Sequence, residues 1–157
     1  MTTLVDHARS LIEYTIWADS RILTAAEGLS EEQYSRLRHV LEHMLGTQGW
    51  WHAQWTGDER VEPHLPTLAE ARERYAASHR AMRAYAEALT AKEWDRSEQW
   101  WRDLGFEQRM PLGESITQVF YHGVQHRSEV AVELSSLGHS PGDVDYLTFL
   151  MESGRVA

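Results

Sequence analysis

The chain has 157 residues with a formal net charge of -9, 42% hydrophobic and 25% charged side chains, and no cysteine. That is the composition of one folded globule of ordinary size, and the acidic balance, without any Lys/Arg run, argues against nucleic acid and anionic membrane partners. With no cysteine, disulfides, thiolate metal sites and a thiol nucleophile are excluded, and any transition metal must be held by imidazole and carboxylate.

In chain order, Leu4, Val5, Ala8, Leu11, Ile12, Ile16, Ile22, Leu23 and Ala26 repeat with helical periodicity and stop before Gly28. Ser30 and Gln33 form a capping box that opens a second helix carrying Leu37, Val40, Leu41, Met44, Leu45, Trp51 and Trp55 to about Gly57. A loop with Pro63 and Pro66 leads to Thr67 and Glu70, a second capping box, and a third helix to about Leu89 with Leu68, Ala71, Tyr75, Met82 and Tyr85 inward. The segment Glu98 to Pro111 reads as a β-hairpin turning at Asp103-Leu104-Gly105. A fourth long helix is predicted from about Ser115 to Leu137, closed by Gly138, and a short apolar helix from Asp143 to Met151 ends the chain.

These elements predict an all-α fold: one domain over residues 1–157, a four-helix bundle with a crossover connection, a short hairpin before the last long helix and a short C-terminal helix. The long stretch between the third and fourth long helices is the expected place for the crossover. No run of about 18 apolar residues could span a bilayer, and the N-terminus lacks the basic flank and apolar run of a signal peptide. Cytoplasm is the expected compartment.

Nine histidines and seven tryptophans are high counts and direct attention to metal binding. Two histidine pairs sit four residues apart, the spacing that puts both rings on one helix face: His39 with His43, and His122 with His126. Both pairs flank their helices' apolar stripes, His122 and His126 on the side of Glu129 and Glu133, as suits a metal site with a position open to solvent. The spacing alone leaves His39 and His43 as equal candidates, and solvated surface histidines are the plain alternative. His7, His52, His64, His79 and His139 read as surface or loop residues.

Two charges fall on apolar faces. Asp19 lies in the first helix's apolar series and Arg127 near the centre of the fourth's. Buried charges are tolerated chiefly when paired, so the two are expected to meet across the bundle near the metal, unless Arg127 extends its head group to water.

Trp17-Ala18-Asp19-Ser20-Arg21, Leu41-Glu42-His43-Met44-Leu45 followed by Gly49-Trp50-Trp51, Tyr121-His122-Gly123-Val124-Gln125-His126-Arg127 and the closing segment Pro141 to Leu150 together resemble the DinB/YfiT-like metal-binding four-helix-bundle family. The resemblance covers nearly the whole chain. It implies a commonly dimeric bundle in which three histidines, here His43, His122 and His126, hold one divalent transition metal such as zinc or nickel. Asp19 stands where that family commonly has Asn, and Gln125 where an extra His is frequent. Neither departure removes a ligand, although Gln125 bears on how the ligands are supported. Active members use the metal to activate a low-molecular-weight thiol such as mycothiol or bacillithiol, which implies a small-molecule thiol and an electrophile as substrates of a metal-dependent transferase. Two alternatives stand beside it: a metal-dependent hydrolase with Glu129 as general base, and a non-catalytic, stress-associated metal- or ligand-binding protein. In the latter, Trp50-Trp51 and Trp100-Trp101 would line a pocket, although core and dimer packing is the plainer expectation for these tryptophans.

Overall fold

Side chains that satisfy the free N–H groups of the first turn set where the long helices begin. In the computed structural model, which describes residues 3–60, 62–100, 105 and 107–156, α1 spans Leu4–Ala25 and opens on a Thr3–Asp6 capping box. Helix α2 spans Glu31–Thr56, opens on the expected Ser30–Gln33 box and ends at Gly57, whose φ of 80° is left-handed. Helix α3 spans Leu68–Ala88; the Thr67 hydroxyl caps the Glu70 N–H and donates to the Glu70 carboxylate. A one-turn helix, α4, covers Ala91–Trp94, α5 runs Leu112–Ser136, and α6 is Tyr146–Glu152, capped by Asp145.

The expected hairpin is present before the last long helix, paired at its outer ends among the described residues. Its paired residues are β1, Ser97–Glu98, and β2, Met110–Pro111, with Ser97 opposite Pro111 and Glu98 opposite Met110. The predicted turn residues Asp103 and Leu104, with Trp101, lie outside the described residues. Trp100 is buried in the core, its indole N–H donating to the Met110 carbonyl; one edge also borders a hollow with Trp55 and Arg96 at that end of the bundle, away from the histidines.

The bundle has two apolar layers, and their membership gives the helix directions. One layer joins Val5, Ala8, Ile12 and Ile16 of α1 with Trp51 and Trp55 of α2, Met82 and Ala86 of α3, and Leu112, Ile116 and Val119 of α5. The other joins Ile22 and Leu23 of α1 with Leu37 and Leu41 of α2, Ala71 and Tyr75 of α3, and Val130 and Leu134 of α5. Helices α1 and α5 therefore run one way, α2 and α3 the other. Helices α1 and α2 each pack against both α3 and α5 and occupy opposite corners.

This arrangement relocates the crossover. Helix α2 ends in the first layer and α3 begins in the second, so the described residues 57–60 and 62–67 lead along α2 from one end of the bundle to the other. Along that path the ring of Pro63 lies over Gly46, the Leu65 N–H donates to Glu42 at 2.8 Å, and the Tyr34 hydroxyl donates to the Leu65 carbonyl at 2.8 Å. The connection from α3 to α5, where the crossover was expected, stays at one end. There the Leu112 N–H bonds to the Arg96 carbonyl, and Arg96 donates to the carbonyl of Trp55. Helix α6 closes a side of the bundle, with Phe149 and Tyr146 packed on Tyr14 of α1 and Phe120 of α5. Among the described residues, no helix is long and apolar enough to cross a membrane.

Candidate metal centre

Helices α2 and α5 pack side by side, and the flanks of their apolar stripes face each other. His43 projects from α2, and His122 and His126 from successive turns of α5. One nitrogen from each ring lies within 4.8 Å of the other two, a grouping that could hold a metal ion. Nε2 of His43 and Nε2 of His122 are 3.1 Å apart. In a tetrahedral site with Zn–N bonds near 2.0–2.1 Å, ligand nitrogens stand roughly 3.3 Å from one another; the observed pair already fits. His39, one turn earlier on α2, is exposed and outside the cluster.

The electrostatics suit ligands. Burial, reinforced by the neighbouring His126 and His43, pushes the His122 pKa down to about 4, so this ring is neutral at pH 7. His126 donates from Nδ1 to the Glu129 carboxylate at 3.0 Å. A carboxylate can only accept, so Nδ1 is the donor in this bond, which leaves Nε2 as the nitrogen of His126 that could meet a metal. Gln125 is exposed. Beside His43 and His122 a cavity of about 470 Å³ opens, with Trp50 and Trp51 as apolar wall, Thr47 and Gln118 as uncharged polar lining, and Arg60 and Glu62 from the crossover segment. A larger hollow of about 660 Å³, lined by α1 residues such as Trp17 and by Pro141 and Phe149, contains no histidine.

Behind the histidines lies a second polar group. Asp19 and Arg127 do meet, with Arg127 Nη1 donating to Asp19 Oδ1 at 2.9 Å, both side chains sealed from solvent. Arg127 does not reach water. Gln48 Nε2 donates to Asp19 Oδ2 at 2.7 Å, and His79 Nε2 lies 3.2 Å from the same oxygen. Burial pushes the Asp19 pKa up, but Arg127, His79 and Gln48 outweigh it and hold the carboxyl below its ordinary 3.8. The guanidinium carbon sits 5.0 Å from the centre of the Tyr14 ring. Each of the four long helices thus contributes one member.

Two of those members escape the reading from sequence. His79, expected at the surface, is buried, and Gln48, a polar residue without a distinguishing motif, is buried beside it. Both were detectable from periodicity: His79 continues the α3 stripe Ala71, Tyr75, Met82, Ala86, and Gln48 continues the α2 stripe Leu41, Met44, Leu45, Trp51. A polar residue in such a stripe, with an unpaired Asp in a neighbouring helix, signals a buried network.

No functionally curated protein matches the chain. The model of the DinB family matches residues 1–155. Bundle, histidine cluster and family match agree on one conclusion: the chain belongs to the DinB family.

Proposed function

We propose that the protein holds one divalent transition metal, zinc or nickel, through His43, His122 and His126, and acts as a transferase on a low-molecular-weight thiol and an electrophile. The observation that carries this reading is the convergence of three imidazoles beside a cavity, with the ring of His122 already neutral. When bound, the ion would supply Lewis acidity, lowering the pKa of a thiol or water in the position the histidines leave open.

The rest of the chemistry belongs to the chain. Glu129 keeps the His126 proton on Nδ1, away from the centre. Trp50 and Trp51 exclude water from one wall of the cavity, while Thr47 and Gln118 offer neutral hydrogen-bonding groups to orient a substrate. No thiol of the protein competes with a thiol substrate. The hydrolase reading stands beside this one: Glu42 and Glu62 line the same cavity, and a carboxylate with one oxygen engaged, as in Glu42 and Glu129, can still accept a proton from water. The exposed apolar side chains Tyr121 and Val132 on α5 and Leu147 and Met151 on α6 support a homodimer, testable from the mass of the particle in solution.

Elemental analysis of protein purified without a histidine tag is the deciding experiment. About one equivalent of transition metal is expected, and its loss in His122→Ala; full stoichiometry in that variant rejects the site. Assay of the loaded protein with small thiols and an electrophile then separates the reactions. Thiol consumption supports the transferase, ester cleavage alone the hydrolase, and neither leaves a binding protein.

A further inference from the structure

Gly123 has no side chain, and the Arg127 guanidinium occupies the space one would take. A Cβ at Gly123 would stand 2.8 Å from Nη1, 2.9 Å from Nη2 and 3.1 Å from Cζ of Arg127. Gly123 directly follows His122 in the sequence, and Arg127 directly follows His126. The two residues in contact are therefore the immediate neighbours of the two histidines on α5. The guanidinium is pinned to Asp19 of α1, and Asp19 is held by Gln48 of α2, the helix that carries His43. An unbroken line of contacts, Gln48 to Asp19 to Arg127 to Gly123, thus joins the helix of one ring to the helix of the other two.

We propose that this line positions the histidine cluster: Arg127, seated on Gly123 and tied to Asp19, fixes the rotation of α5 at which His122 and His126 face His43. The lever arm makes the requirement strict. A ring nitrogen roughly 5–6 Å from the helix axis moves about 1 Å when the helix turns by about 10°, whereas metal–ligand distances tolerate about 0.2 Å. A small shift at the seat therefore becomes a misplacement that an ion cannot accommodate. The metal part of this inference rests on the proposed function; the positioning of the rings does not, because it is argued from the contacts of Gln48, Asp19, Arg127 and Gly123 and from the 3.1 Å approach of His43 to His122.

The test uses untagged, metal-free wild type, Gly123→Ala, Arg127→Lys and the double variant. Long-range ¹H–¹⁵N spectra read the imidazole tautomers, and Co(II) titration reads affinity. Gly123→Ala is expected to shift the His43 and His122 ring signals and weaken Co(II) binding at least about tenfold. In the double variant the slimmer ammonium clears the new Cβ, and affinity should return to within about threefold of Arg127→Lys alone, a coupling between touching residues that general destabilisation would not produce. Wild-type rings and affinity in Gly123→Ala, or no recovery in the double variant, overturn the proposal. If Gly123→Ala does not fold, Gln48→Met breaks the same line at α2, with shifted ring signals expected and unchanged ones decisive against it. Should wild type take up no cobalt, the metal reading fails on its own, and the ring signals of the variants still decide the positioning.

Discussion

Helix α5 contributes to two polar clusters that face opposite problems. The histidine cluster is partly open to solvent, yet burial, and after it the neighbouring His126 and His43, disfavours the charged form of His122. The group around Asp19 is sealed, and it pairs the opposite charges of Asp19 and Arg127 within a polar group to which all four long helices contribute. One borders a cavity through His43 and His122, and the other is nearly complete within the protein, although Arg127 Nε and Nη2 remain buried without hydrogen-bond partners. The contrast separates a cluster that could hold an ion from one whose polar atoms mostly satisfy each other across the bundle.

The largest expected effect breaks the sealed cluster. Arg127→Met leaves Asp19 as an uncompensated buried charge and should cost about 3–5 kcal/mol in urea unfolding. Adding Asp19→Leu should recover much of that loss, since apolar replacement of both partners is often near neutral; a mild effect of the single change would reject the pairing. In the open cluster the prediction differs in kind. Glu129→Ala should weaken metal binding about 10–100-fold while leaving the unfolding midpoint of metal-free protein almost unchanged, because Glu129 is exposed.

A pH series sharpens the comparison further. The His122 pKa in the folded state is about 4 against an ordinary 6.5, so between those values the unfolded chain holds more protons. Metal-free protein should therefore lose stability as pH falls from about 6.5 towards 4, and His122→Ala should flatten that part of the profile. The smallest effect is remote from both clusters: Ser30→Ala removes the α2 cap and should cost about 1 kcal/mol, without altering metal affinity.

Much of this was legible in the sequence, for identifiable reasons. The Ser30 cap and the stop at Gly57 fixed α2 because caps are local chemistry. Asp19 and Arg127 announced each other because a charge on an apolar face requires a partner. The crossover was misplaced because periodicity tells which face of a helix is buried, not which neighbour buries it or in which direction that neighbour runs. His79 was missed because histidine is common on surfaces and its place in the α3 stripe was outweighed by its polarity. The choice of His43 over His39 came from resemblance; spacing could not make it, since only the packing of α2 on α5 decides which ring turns inward.

The segment 57–67 is anchored by Leu65, which is fully buried, and by the bonds of its backbone to Glu42 and Tyr34. It also supplies Arg60 and Glu62 to the mouth of the cavity. Anchorage and access thus reside in different residues of one strap. Under the proposed function, exchanging Arg60 or Glu62 would alter what reaches the histidines while Leu65 keeps the strap in place.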